Sequence, residues 1–158
     1  MESLLIIGAG GHGRVVAEIA EACGYDSIAF LDDNSPTAIG KIKEMESYTP
    51  QYDGVFIAIG NNALRQQLAG QLKQLKGAKL VTLVHPTAYV SPSATVGAGT
   101  VVEPKAVINT NSQIGQGCII SVGTVVDHDC LIGDFCHINA GVVCGAGSCV
   151  EALTRLSL

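Results

Sequence analysis

The residues best suited to chemistry are His128 and Asp129, an imidazole followed at once by a carboxylate. An imidazole with an ordinary pKa of about 6.5 can take a proton from an attacking amine or hydroxyl at neutral pH. A carboxylate beside it stabilises the imidazolium and orients the ring. The other histidines are His12, His85 and His137. Near the N-terminus, Gly8, Gly10 and Gly13 fit G-x-G-x-x-G, and Asp32 follows nineteen residues after the last. Such glycines let backbone N–H groups at a helix start approach a phosphate, and an acid at that distance can hold a hydroxyl.

The elements that must carry His128 are written in a six-residue repeat. Stepping by six from Val84 reaches Val90, Val96, Val102, Ile108, Ile114, Ile120, Val126, Ile132, Ile138, Cys144, Val150 and Leu156. Four residues after most of these sits a small side chain, among them Ala88, Thr100, Ser112, Thr124, Cys118, Cys130 and Cys136. Neither a helix nor a simple strand repeats every six residues. Strand alternation turns one small and one branched residue inward, and the next two positions make a corner. Three such strands close a triangular coil of about 18 residues, and coils stack about 4.8 Å apart. The expected fold is a left-handed parallel β-helix over residues 84–158. Within it Cys118, Cys130, Cys136 and Cys144 are packing residues. His128 and Asp129 take the two corner positions of their hexad and face outward, and His137 faces outward on a flat side. Eighteen residues after His128 comes Ala146, between Gly145 and Gly147, where a stacked backbone N–H can serve as an oxyanion donor.

Residues 1–83 read differently. Strands are expected over 4–7, 28–31, 55–59 and 80–84, with helices over 14–23 and 63–76. Val15, Val16, Ile19 and Ala20 are expected on one helix face. Alternating strands and helices indicate a small parallel sheet. With about 80 residues before the repeats, this is half of a dinucleotide fold. It suits one nucleotide or a nucleotide-sugar better than NAD.

Composition agrees with a narrow core of small and branched side chains: 47% hydrophobic, 4% aromatic, no Trp and 19 glycines. The net charge of −5 and the lack of basic clusters argue against nucleic acid. No signal peptide or membrane-spanning run is evident. Six cysteines without a CxxC pair suggest reduced thiols and a cytoplasmic protein.

Gly8 to Gly13, Phe30-Leu31-Asp32-Asp33, Ile57-Ala58-Ile59-Gly60-Asn61-Asn62 and Val126-Asp127-His128-Asp129-Cys130 occur together and in this order. In this the chain resembles a bacterial sugar acetyltransferase family, to about Cys144. Its members include UDP-4-amino-sugar N-acetyltransferases of bacillosamine synthesis and sialic acid O-acetyltransferases. The resemblance implies acetyl-CoA as co-substrate, no metal, and a homotrimer with active sites between subunits. It implies that Gly10, Gly11 and His12 contact the sugar nucleotide, with Asp32, Asp33 and Gly60. His128 is then the general base, Asp129 its neighbouring acid, and His137 a residue that contacts acetyl-CoA.

The expected reaction is acetyl transfer to the amino group of a UDP-linked 4-amino sugar, with O-acetylation of sialic acid or another sugar hydroxyl as the alternative. A β-helical zinc enzyme would need three converging histidines, from His85, His128 and His137. A third reading is an inactive nucleotide-sugar-binding or assembly module. It draws on the last residues, where 150–155 keep the inward pattern but lose glycine-rich corners. That change, and an end at Leu158 within the thirteenth hexad, predict a β-helix cut short at its C-terminus with a poorly ordered last coil.

Overall fold

The computed structural model describes residues 1–158, and the chain divides into two compact units, Met1–Val81 and Thr82–Leu158. In the first, β1 (Glu2–Ile7), β2 (Tyr25–Leu31) and β3 (Gly54–Ile57) form a parallel sheet in the order β2-β1-β3. Leu4 to Ile7 of the central strand are fully buried, which fits a parallel strand covered on both faces. The first helix, α1 (Gly11–Ala22), begins three residues earlier than its apolar pattern predicts. Glycines carry no hydrophobic signal, so Gly11, His12 and Gly13 are its unannounced first turn. Val16, Ile19 and Ala20 are buried, whereas Val15 lies off that stripe and is 39% exposed. Gly24, at φ +100°, ends the helix with its N–H on Glu21 O.

After a short α2 (Met45–Tyr48), α3 (Asn62–Lys73) is capped by Asn61, whose Oδ1 accepts the Leu64 N–H at 2.9 Å. The strand expected over 80–84 is two pieces. Leu80 bridges Val55 at the first sheet, and Leu83–Val84 pairs with Val101–Val102 in the second unit. One apolar run serves both, so its sequence hides the change of partner.

The second unit is a parallel β-helix of two-residue strands in three sheets. The first face stacks Leu83–Val84, Val101–Val102, Ile119–Ile120, His137–Ile138 and Arg155–Leu156. The second stacks Tyr89–Val90, Val107–Ile108, Val125–Val126 and Val143–Cys144. The third stacks Thr95–Val96, Gln113–Ile114, Leu131–Ile132 and Cys149–Val150. Every partner is one coil of eighteen residues away, as the repeat predicts. The core holds the columns of Val102, Ile120 and Ile138, of Ile108, Val126 and Cys144, and of Ile114 and Ile132.

The small inward residues do more than fill space. Thr100, Ser112, Cys118, Thr124, Cys130 and Cys136 donate to the carbonyls of Gly115, Asp127, Gly133, Asn139, Gly145 and Glu151. Each reaches a corner fifteen residues ahead and satisfies a carbonyl that the strands leave over. The thiols are therefore donors as well as packing groups. Residues 145–158 keep the ladder despite their altered wording. Arg155–Leu156 pairs in register, and Leu153 adopts the corner conformation at φ +65°. No helix is long and apolar enough to cross a membrane.

Candidate active site

His128 and Asp129 stand on the corner between the second and third faces, with side chains 53% and 58% exposed. The ring Nδ1 lies 2.7 Å from Asp129 Oδ2. An ionised carboxylate only accepts, so the proton of the neutral ring belongs on Nδ1 and Nε2 carries the lone pair. The hydrogen bond to Asp129, followed by the charges of Asp127 and Asp129, raises the His128 pKa above its ordinary value. The same bond, then that from Asn111, lowers the Asp129 pKa.

The coil beneath braces this corner. Asn111 Nδ2 donates to Asp129 Oδ1 at 3.4 Å, and Asn109 Nδ2 donates to Asp127 Oδ1 at 3.1 Å. Asp127 Oδ1 also accepts the His128 N–H at 2.7 Å. Asp129 sits at φ +57° above Asn111 at φ +58°, a left-handed corner that Asn and Asp tolerate better than most side chains. In the coil above, the corresponding corner is Gly145-Ala146-Gly147. The Gly147 N–H donates to His128 O at 2.9 Å, which seats that corner directly over the His128 backbone. Asn109 and Asp127 each supply a side-chain acceptor to the next backbone N–H, of Thr110 and His128. Gly145 has no side chain, so the Ala146 N–H receives no such acceptor.

His137 is not part of this cluster. It lies on the first face, and the corner bearing His128 is the vertex opposite that face in the triangular coil. Its Nε2 is 3.2 Å from Ser121 Oγ, and the residue is half-buried rather than projecting freely. One coil below Ser121, Glu103 is buried, and desolvation raises its carboxyl pKa while its Oε2 accepts the Val122 N–H. No group of three His, Cys, Asp or Glu side chains in the chain is placed to hold a metal ion. An open groove of about 340 Å³ runs along the third face past Thr95, Gln113, Leu131 and Cys149. His128 does not line it.

In the first unit the glycines have separate duties. A Cβ on Gly8 would meet Ala58 O at 2.6 Å, and one on Gly13 would meet Gly8 O at 2.2 Å. These two permit the turn and the close seat of α1. Gly10, Gly11 and Gly60 face open space instead. Gly11, His12 and Gly13 form the first turn of α1, whose N-terminus has no side-chain cap. The N–H groups of a helix N-terminus are the kind of donors that an anion meets. Asp32 Oδ2 accepts the Ala9 N–H at 2.8 Å, and its Oδ1 accepts those of Asn34 and Ser35. The Ala9 bond leads in holding its pKa below the usual carboxylate range. Asp32 thus ties the glycine loop to the loop after β2. Asp33 Oδ1 accepts the Ile42 N–H, and its carbonyl accepts Lys41 Nζ.

Sequence reasoning missed Arg65, which is 1% exposed and donates to Ile59 O and Asn62 Oδ1. It holds the loop containing Gly60. A charged residue in a helix otherwise reads as a solvated face, so spacing gave no sign of it. Asn109 and Asn111 were findable, by subtracting eighteen from Asp127 and Asp129.

The family model of the PglD N-terminal domain matches residues 3–72. UDP-N-acetylbacillosamine N-acetyltransferase of Bacillus subtilis (strain 168) is 39% identical over 113 residues, which cover 64% of this chain and 51% of that protein. The chain thus spans about half the length of this curated relative. The acetyltransferase domain of PglB from Neisseria gonorrhoeae FA1090, in complex with acetyl coenzyme A, superposes with a TM-score of 0.85 at 37% identity. That match covers 98% of this chain and 87% of the other. A histidine-to-asparagine mutant of perosamine N-acetyltransferase from Caulobacter crescentus, in complex with CoA and GDP-perosamine, gives a TM-score of 0.85 at 33% identity. It covers 98% of this chain and 85% of that one.

Proposed function

The chain belongs to the PglD-like sugar acetyltransferases, and we propose that it transfers acetyl from acetyl-CoA to the amino group of a UDP-linked 4-amino sugar. The observation that carries this reading is the His128–Asp129 pair at 2.7 Å, beneath a corner whose Ala146 N–H receives no side-chain acceptor. His128 Nε2 takes the proton as the amine nitrogen attacks the thioester carbonyl carbon. Asp129 stabilises the imidazolium formed in that step. The Ala146 N–H points its dipole at the developing oxyanion. Collapse of the tetrahedral species breaks the C–S bond, and the imidazolium returns its proton to the departing CoA sulfur. A thioester is already activated, so no covalent enzyme intermediate is required.

The N-terminal unit supplies acceptor binding in this reading. Gly10, Gly11 and His12 at the start of α1 receive the diphosphate, and Gly60, Asp32 and Asp33 shape the nucleotide site. The open space at Gly10, Gly11 and Gly60 supports this assignment. His137 contacts acetyl-CoA, and the working form is a homotrimer. Trimerisation is the arrangement that lets His137 of one subunit approach the His128 corner of the next.

CoA release, followed with a UDP-4-amino sugar and with sialic acid, tests the assignment. His128→Ala should lower turnover on the amino sugar by at least about 100-fold. Undiminished turnover would remove His128 from its role, and equal turnover of sialic acid would overturn the amine preference.

A further inference from the structure

We propose that Asn109 and Asn111 are positioning residues for the His128–Asp129 pair. This deepens the reading of His128 as the general base and rests on it. The two members of the pair are more than half exposed. Exposed charged partners gain little from each other, because water screens them and two free side chains must be ordered at once. An unbraced pair on this corner would therefore separate for much of the time.

The coil beneath removes that freedom. Asn111 Nδ2 reaches Asp129 Oδ1, so the carboxylate is held by one oxygen while Oδ2 faces the ring. Asn109 Nδ2 and the His128 N–H meet on the same oxygen of Asp127, which fixes the backbone from which the imidazole projects. Asn109 and Asn111 each stand one coil, eighteen residues, below the carboxylate they hold. An amide suits this place because it donates without adding charge, whereas a carboxylate there would repel its partner. The left-handed corner accounts for the residue type at 111 and 129. It does not require the amide to touch the carboxylate.

The surroundings keep this interpretable. His128 is faced by Asp127 and Asp129 on its own corner, by Asn109, Thr110 and Asn111 below, and by Gly145, Ala146 and Gly147 above. The two aspartates are the only titratable groups among them.

Asn111→Gly is the decisive variant, because glycine keeps the corner conformation and removes only the amide. Nitrogen-15 NMR of the histidines in the full chain, assigned with H128A, reads the tautomer and pKa of His128 without any substrate. The wild type should show the Nδ1–H tautomer and a pKa above 6.5. N111G should shift the ring toward the Nε2–H tautomer and bring its pKa down toward 6.5. Its kcat should fall about fivefold with KM unchanged, the size of one lost hydrogen bond, and Asn109→Ala should move in the same direction. A wild-type tautomer and pKa in both variants would overturn the proposal. So would a raised pKa in N111G, which would mean that the amide merely dampens the charge on Asp129. If His128 is not the base, H128A will show it in turnover, while the nitrogen shifts still judge the positioning.

Discussion

Asp129 matters to His128 through the tautomer it selects more than through attraction. The pair is exposed, so its contribution to folding is small, but a proton held on Nδ1 leaves Nε2 free to act as a base. Folding raises the His128 pKa, first through the Asp129 hydrogen bond. The stabilisation linked to this shift is fully present below about pH 6.5 and is lost as pH rises through the elevated folded value. The proposed base catalysis, which needs the neutral ring, runs the other way. In wild type, kcat/KM should rise with pH through a pKa above 6.5 and then level off. Asp129→Asn should move that rise to lower pH and reduce the plateau about tenfold, because the amide neither stabilises the imidazolium nor enforces the tautomer. A pH–rate profile of CoA release checks both changes, and an unmoved limb would show that Asp129 does not tune the base.

The coil was legible as an element because its period of six matches nothing else, and the corner positions of His128 and Asp129 followed by counting. The inward hydroxyls and thiols were read as filler, since spacing shows size and direction but not hydrogen bonds. Thr100 makes the point. Its Oγ1 donates to Gly115 O at 2.8 Å and accepts the Cys118 N–H at 2.9 Å, joining two coils. Thr100→Val keeps the shape and leaves the buried Cys118 N–H and the part-buried Gly115 carbonyl unpaired. It should cost about 2 kcal/mol or more, measured as a lower midpoint in urea at an unchanged slope. In the N-terminal unit, G-x-G-x-x-G was also visible, but as one motif. The structure divides it into Gly8 and Gly13, which the backbone needs, and Gly10, beside open space that a ligand can occupy.

In the molecule as a whole, one chain holds His128 and Asp129 together with Ala146 but keeps His137 on the opposite face. A site that uses both histidines draws them from two copies. Mixed oligomers of H128A and His137→Ala should therefore recover about a quarter of wild-type activity, since one interface of the three in each mixed trimer regains an intact pair. Recovery is read after unfolding and refolding the two variants together, and none would argue for sites complete within one chain. Light scattering should give three chains per particle. The six-residue period, the small α/β unit before it and the adjacency of His128 to Asp129 could all be read from the chain, because each is a local or strictly periodic property. The Arg65 clamp and the Ser121–His137 bond could not, and for Asn109 and Asn111 counting back eighteen gives the place but not the contact. Each of these is a hydrogen bond, and whether a side chain makes one depends on where folding points it rather than on residue type or spacing.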